Sequence, residues 1–285
     1  MKGATSVWQK LPVWFRAIVS GMIVSGVPTI VWGTLATVNL RLSPRVPWSV
    51  PLMAVLLWAY WRYLRGDGPP RRLATVRHDY LRAAPLTLRE WRLTLIGGGA
   101  AIAAVWALFA AFRGLLHLAP PPNDLARFPM WTVLAAIVMG SAVAGIAEEA
   151  GFRGYMQVPL ERAYGPVPAI AITSVLFTLV HLTHGSRILP YLPFFFAAAV
   201  IYALLAFLSG SILPSMTLHF AGDVLMFTLR YSAARQGAIG ASGGFAVGYA
   251  MAAAGFVVLS ALMFRLLVRN TSALTRKTPV PAMGH

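Results

Sequence analysis

Long apolar stretches follow one another along almost the whole chain, separated by short polar segments. A helix that crosses a membrane needs ~20 mainly apolar residues, and eight stretches approach this length. They are residues 13–40, 47–64, 93–118, 130–157, 167–182, 189–208, 211–229 and 245–268. The pattern predicts an all-α, polytopic membrane protein with about eight transmembrane helices.

Composition excludes an ordinary soluble domain. Apolar residues make up 58% of the 285 residues and charged residues only 11%, whereas soluble domains contain ~25% charged residues. The chain has no cysteine, which excludes disulfides, a cysteine nucleophile, thiolate metal ligands and lipid attachment through cysteine.

The charge is strongly positive, with 24 basic against 8 acidic residues. Nucleic acid could bind such a chain, but a membrane protein carries the same excess in its cytoplasmic loops. With the N-terminus inside, most basic residues fall on the inner side. We therefore predict a lipid bilayer and no nucleic acid as partner, a bacterial inner (cytoplasmic) membrane, and cytoplasmic N- and C-termini.

Two proline-rich segments divide the chain. The predicted parts are residues 1–129, with three transmembrane helices and a basic inner loop at 65–91, a helix bundle at 130–268, and a disordered tail at 269–285. The first two form one integrated membrane domain. In the loop, apolar residues recur at helical spacing from Leu73 to Ala84. A basic helix on the membrane surface and a solvated loop are both open interpretations.

Five ionisable residues interrupt the predicted spans: Glu148, Glu149, His181, His219 and Asp223. Each ionisable group in a spanning helix costs ~2.5–3.5 kcal/mol on insertion scales, so such groups usually pair or perform a function. A single histidine or ion pair would more often be structural. Because all five occur together on three spans, they predict a wet polar pocket inside the bilayer.

Spacing gives these residues partners. Glu149 and Arg153 are four apart, so on a helix the guanidinium can keep Glu149 ionised. Glu148 is turned away by about 100°, which leaves it freer to accept and return a proton. His219 and Asp223 are also four apart, so the carboxylate could fix the imidazole tautomer. Tyr155, Gln157 and Arg162 fit ordinary residues of the inner membrane boundary.

These motifs resemble those of a known family. Glu148-Glu149-x-x-x-Arg153, Phe177-x-x-x-His181 and His219-x-x-x-Asp223 occur in that order on successive spans. This order is similar to the CAAX prenyl protease type 2 family, also called the Abi or CPBP intramembrane proteases. The resemblance covers about residues 130–229.

The resemblance implies an intramembrane endopeptidase whose catalytic bundle, residues 130–268, is a conical arrangement of helices around a polar cavity. Its substrate would be a membrane-associated protein or peptide, cleaved near its C-terminus or membrane anchor. Glu148 would activate water, His181 would hold that water, His219 and Asp223 would lie on the oxyanion side, and Glu149 and Arg153 would support the site. The implied mechanism is metal-independent and needs no cofactor.

The family pattern at this position is HxxxN or HxxxD, and Asp223 departs from the best-studied eukaryotic-type members, which carry asparagine. An ionised aspartate cannot donate a hydrogen bond to an oxyanion. Either Asp223 is protonated, or it accepts from His219 and makes that ring the donor; we favour the second.

Three other functions fit parts of the pattern. Glu148, His181, His219 and Asp223 could form a zinc site of a metalloprotease, although no HExxH motif is present. A non-catalytic immunity or scaffold protein could keep the same fold. A proton-coupled transporter also uses buried acids and histidines, but the sequence has no evident inverted repeat.

Overall fold

The structure, a computed structural model, describes residues 4–116, 124–235 and 246–275. The α-helices are α1 (Ala4–Lys10), α2 (Val13–Leu42), α3 (Ser49–Leu64), α4 (Ala74–Leu81), α5 (Leu88–Leu115), α6 (Met130–Val143), α7 (Gln157–Tyr164), α8 (Pro166–Val180), α9 (Leu192–Ser209), α10 (Leu213–Arg235) and α11 (Ala246–Thr275). A π-helix, Ala144–Met156, joins α6 to α7. No β-strand occurs within these residues, so the all-α prediction is confirmed.

Six helices in the described part of the chain are long and apolar enough to cross a membrane. They are Val13–Leu42, Leu88–Leu115, Met130–Tyr164, Pro166–Thr183, Ile188–Ser209 and Gly248–Arg269. The protein is therefore an integral membrane protein. The second and seventh predicted spans do form helices, but α3 has only 16 residues and α10 carries charged and polar residues along its length.

A buried asparagine closes the turn between α2 and α3. The Asn39 amide donates to the carbonyls of Ser43 and Val46, each at 2.8 Å. Its carbonyl oxygen accepts from the backbone N–H and the hydroxyl of Ser49. All four hydrogen bonds of the amide are satisfied in an otherwise apolar region, which fixes the two helices as a hairpin.

The predicted inner loop contains the folded helix α4 rather than a wholly solvated chain. Arg77 on α4 is buried and donates to the carbonyls of Tyr63, Gly66 and Gly68 among others. Leu81 at its end is also buried. Together these contacts dock α4 against the end of α3.

α5 packs along α11, and α2 packs along the π-helix. Helices from the predicted N-terminal part therefore contact helices of the predicted catalytic bundle. The helix α11 continues to Thr275, and the rest of the predicted disordered tail lies outside the described residues.

The π-helix corrects the regular α-helix expected for 130–157. Its N–H groups bond five residues back rather than four, a geometry that is rare in long runs and frequent at functional sites. Small residues let it approach three neighbours closely. A Cβ added at Gly145, Gly151 or Gly154 would lie 3.0, 2.6 or 2.7 Å from the backbone oxygens of Met216, Gly21 and Tyr80 respectively.

Gly151→Ala is expected to destabilise the protein by about 1–3 kcal/mol, because the new methyl group meets the Gly21 carbonyl and Ser25, which cannot move cheaply. Reversible unfolding in mixed micelles measures the change. Gly26→Ala is the control, since nothing lies within 4 Å of its added Cβ. Equal stability of the two variants would contradict this packing account.

Candidate active site

Three helical segments carry the residues predicted to form a site. The π-helix carries Glu148, Glu149 and Arg153, and α10 carries His219 and Asp223. His181 stands at the C-terminal end of α8.

His219 lies at the centre of this cluster. Its Nδ1 donates to Oε1 of Glu149 at 2.9 Å. Its Nε2 faces two other carboxylates, Glu148 at 3.9 Å and Asp223 at 3.6 Å. The ring stacks on Tyr202, with centroids 5.0 Å apart and planes 12° apart. Both ring nitrogens of His219 therefore point at acidic groups.

Glu149 and Arg153 form a wholly buried ion pair. Nη1 of Arg153 is 3.3 Å from Oε1 of Glu149, and both side chains are almost completely excluded from the surface. The guanidinium also lies over Phe177, 4.5 Å from the ring centroid, and donates to the carbonyl of Ala199. The guanidinium and His219 both reach Oε1 of Glu149, so this buried charge is balanced by two neighbouring groups rather than by solvent.

The other two carboxylates of the cluster are more accessible. The side chains of Glu148 and Asp223 are each 20% exposed, whereas that of Glu149 is buried. Of the three acids, only Glu148 and Asp223 can therefore meet a water molecule or a substrate without rearrangement.

His181 approaches the cluster through Phe177. Its Nδ1 is 2.8 Å from the carbonyl oxygen of Phe177, which can only accept. The Phe177 ring contacts both imidazoles, with centroid distances of 4.8 Å to His181 and 6.1 Å to His219. His181 also stacks on Phe195 at 4.1 Å. Phe177, which the sequence motif includes, thus separates and orients the two histidines.

The residue that holds His219 differs from the sequence expectation. We expected Asp223 to fix its tautomer, but the hydrogen bond goes to Glu149, and Asp223 stands 3.6 Å from the opposite nitrogen. On one helix, spacing of four brings Asp223 near the ring, but the ring's orientation turns Nδ1 toward the π-helix. No local sequence signal reports that long-range choice.

The geometry also bears on the zinc interpretation. Across the residues that the structure describes, no three His, Cys, Asp or Glu side chains are arranged to hold a metal ion. The donor set proposed for zinc is therefore not preformed.

The segment that carries these residues also matches a family model. Residues 129–225 match the type II CAAX prenyl endopeptidase Rce1-like family. This match over residues 129–225 confirms the resemblance that the sequence motifs predicted. All six candidate site residues lie inside the matched segment. No curated protein and no solved structure matches the chain. The family and the apolar helices together indicate a protease in a lipid environment, with a membrane-associated substrate.

Arg153→Met should lower the free energy of unfolding by about 3–5 kcal/mol, because it removes the guanidinium that pairs with the buried Glu149 charge and leaves only His219 beside it. Adding Glu149→Gln should recover more than half of that loss, since glutamine carries no charge and its oxygen can still accept from His219. Unfolding in mixed micelles measures both variants. A single Arg153→Met variant as stable as the wild type would contradict the buried pair.

Proposed function

We propose that the protein is an intramembrane glutamate-type endopeptidase. It hydrolyses a peptide bond near the C-terminus or membrane anchor of a membrane-associated protein or peptide. The observation that carries this proposal is that two adjacent acids have different surroundings. Glu149 is buried and contacts Arg153 and His219, whereas Glu148 is partly exposed beside them.

Glu148 is the general base in this proposal. It takes a proton from water while the water oxygen attacks the peptide carbonyl carbon. With His219 protonated, the cluster has three carboxylates against two cations, so the proton that Glu148 accepts neutralises its net charge. Glu148 then gives the proton to the leaving nitrogen as the C–N bond breaks.

The two histidines act on either side of the attack. His181 donates Nδ1–H to Phe177, so its neutral ring has its lone pair on Nε2, which can accept a hydrogen bond from the attacking water. Protonated His219 keeps Nδ1–H on Glu149 and presents Nε2–H to the developing oxyanion. Glu149 stabilises that imidazolium.

Asp223 adjusts the oxyanion side. Its carboxylate is 3.6 Å from Nε2 of His219 and partly exposed. In this position it favours the protonated ring without holding its orientation, which Glu149 already fixes. Asp223 is therefore a supporting group rather than the donor to the oxyanion.

The proposal includes the topology. Eight helices cross or enter the bilayer, with α3 and α10 as the two additional ones, and they enclose a polar cavity around the cluster. Exposed apolar side chains on α3, such as Val55 and Trp58, support its contact with lipid. Both termini are cytoplasmic in this proposal, because the basic residues concentrate on that side. The membrane is taken to be a bacterial inner membrane.

Glu148→Gln should abolish cleavage while leaving unfolding in micelles close to wild type, because the amide keeps the shape but cannot take a proton. The measurement compares the membrane proteomes of cells with wild-type protein, with Glu148→Gln or with no protein. It identifies proteins whose C-terminal segments stay uncleaved in the last two. Full complementation by Glu148→Gln would instead favour the non-catalytic immunity or scaffold function.

A chelator should leave wild-type cleavage of the identified peptide unchanged in purified protein, since the mechanism uses no metal. Loss of activity with a chelator, restored by stoichiometric zinc, would support the zinc protease.

His219→Ala should lose at least ~100-fold in kcat, since removing a single oxyanion donor typically costs 10²–10³. Asp223→Ala should also be severely impaired, because the His219 ring then loses the carboxylate that favours its protonated form. Asp223→Asn should retain at least partial activity. The same peptide assay measures all three. Wild-type turnover by Asp223→Ala would contradict the supporting role of this carboxylate.

A further inference from the structure

A second buried polar network lies one turn beyond Arg153, and the proposed mechanism does not use it. Gln157 is fully buried, and its amide donates to Oε1 of Glu161 at 2.7 Å and to the carbonyl of Ala203 at 3.0 Å. Glu161 in turn forms a two-pronged ion pair with Arg82. Two polar side chains of α7 and one from the residue that follows α4 are thus joined in a mostly buried position.

This network continues a ladder that begins in the site. Arg153 donates to the carbonyl of Ala199, and Gln157 donates to that of Ala203. The donors are four residues apart, and so are the acceptors. Both alanines are buried and small, so α9 lies close enough to accept hydrogen bonds from Arg153 at the end of the π-helix and from Gln157 at the start of α7. Both hydrogen bonds therefore attach the segment from Arg153 to Gln157 to α9.

Arg82 connects the same network to α10. Its carbonyl accepts from the N–H of Ile212 at 2.9 Å, and the carbonyl of Ala84 accepts from the hydroxyl of Ser211 at 2.8 Å. Ser211 and Ile212 immediately precede α10, which carries His219. The short segment that follows α4 therefore contacts both parts of the site. The Arg82 side chain binds Glu161 on α7, and backbone carbonyls of the same segment bind the residues before α10.

We propose that Arg82, Glu161 and Gln157 are positioning residues of the endopeptidase site. They set the placement of the π-helix, with Glu148 and Glu149, relative to α10. This inference rests on the proposed function. Its physical basis is that a misplacement of about 1 Å between reacting groups can cost ~100-fold in rate.

A neighbouring ion pair provides a matched control. Arg162 on α7 pairs with Asp79 on α4, and the two side chains are 55% and 50% exposed. Mutation of Arg162 removes the same positive charge from the same inner surface as mutation of Arg82. Arg162, however, forms no bond to Gln157 or to the start of α10. Exposed pairs of this kind contribute little to stability.

The decisive variant is Arg82→Asn. Arg82 has a positive φ of 53°, a conformation that asparagine adopts more readily than most residues, so the backbone grip on α10 is retained and only the side chain is lost. We expect kcat on a quenched fluorescent peptide containing the identified cleavage site to fall about 10- to 100-fold, with KM changed less than about twofold. Arg162→Asn should stay within about twofold of wild type.

Charge reversal separates positioning from general loss of fold. Arg82→Glu alone and Glu161→Arg alone should both lose activity, and the double variant should recover at least part of kcat. If Arg82→Asn cleaves as fast as Arg162→Asn, or if its activity falls only in proportion to its folded fraction, the inference is wrong.

A measurement without substrate keeps this test independent of the protease proposal. The chain has no cysteine, so spin labels can be placed at Tyr164→Cys on α7 and Thr217→Cys on α10, both exposed positions. The distance distribution from pulsed electron resonance should broaden or shift in Arg82→Asn and stay unchanged in Arg162→Asn. An unchanged distribution in both variants would overturn the inference. A shifted distribution, together with no Glu148-dependent cleavage by the wild type, would refute the protease function and leave the helix-positioning role standing.

Discussion

The structure depends on one buried carboxylate. Glu149 has no access to solvent, and a charge in that position is stable only because Arg153 and His219 both reach it. The same interaction performs two tasks. It holds the imidazole in one orientation, and it occupies one of two adjacent acids so that Glu148 remains accessible. A membrane interior makes this arrangement stringent, since little water is present to compensate a group that is left without its partner.

The close packing of the π-helix makes this arrangement possible. Gly145, Gly151 and Gly154 let the helix touch the backbones of α10, α2 and α4, so the acids are placed by main-chain contacts rather than by flexible side chains. The inner network of Gln157, Glu161 and Arg82 extends this control to the end of the helix. Catalytic groups on rigid, closely packed segments need little reorganisation during the reaction, which is where electrostatic stabilisation of a transition state originates.

Much of this could be predicted from the sequence, and the limits have physical causes. The apolar periodicity and the out-of-place acids and histidines report local properties, and they led to the all-α membrane class and to the family. The bond from His219 to Glu149 could not be predicted, because it joins residues 70 apart and competes with the local Asp223. Gln157 and Arg82 were likewise indistinguishable from boundary and loop residues, since their roles depend on long-range partners.

The central claim is that Glu149 fixes His219 and leaves Glu148 to the water. Nitrogen NMR of the His219 ring, assigned by comparison with a His219→Asn variant, tests it most directly. The account predicts a proton on Nδ1 at every pH where the protein is folded, and loss of this preference when the acid is shortened by Glu149→Ala. A wild-type ring protonated only on Nε2, with Nδ1 bare, would contradict the account.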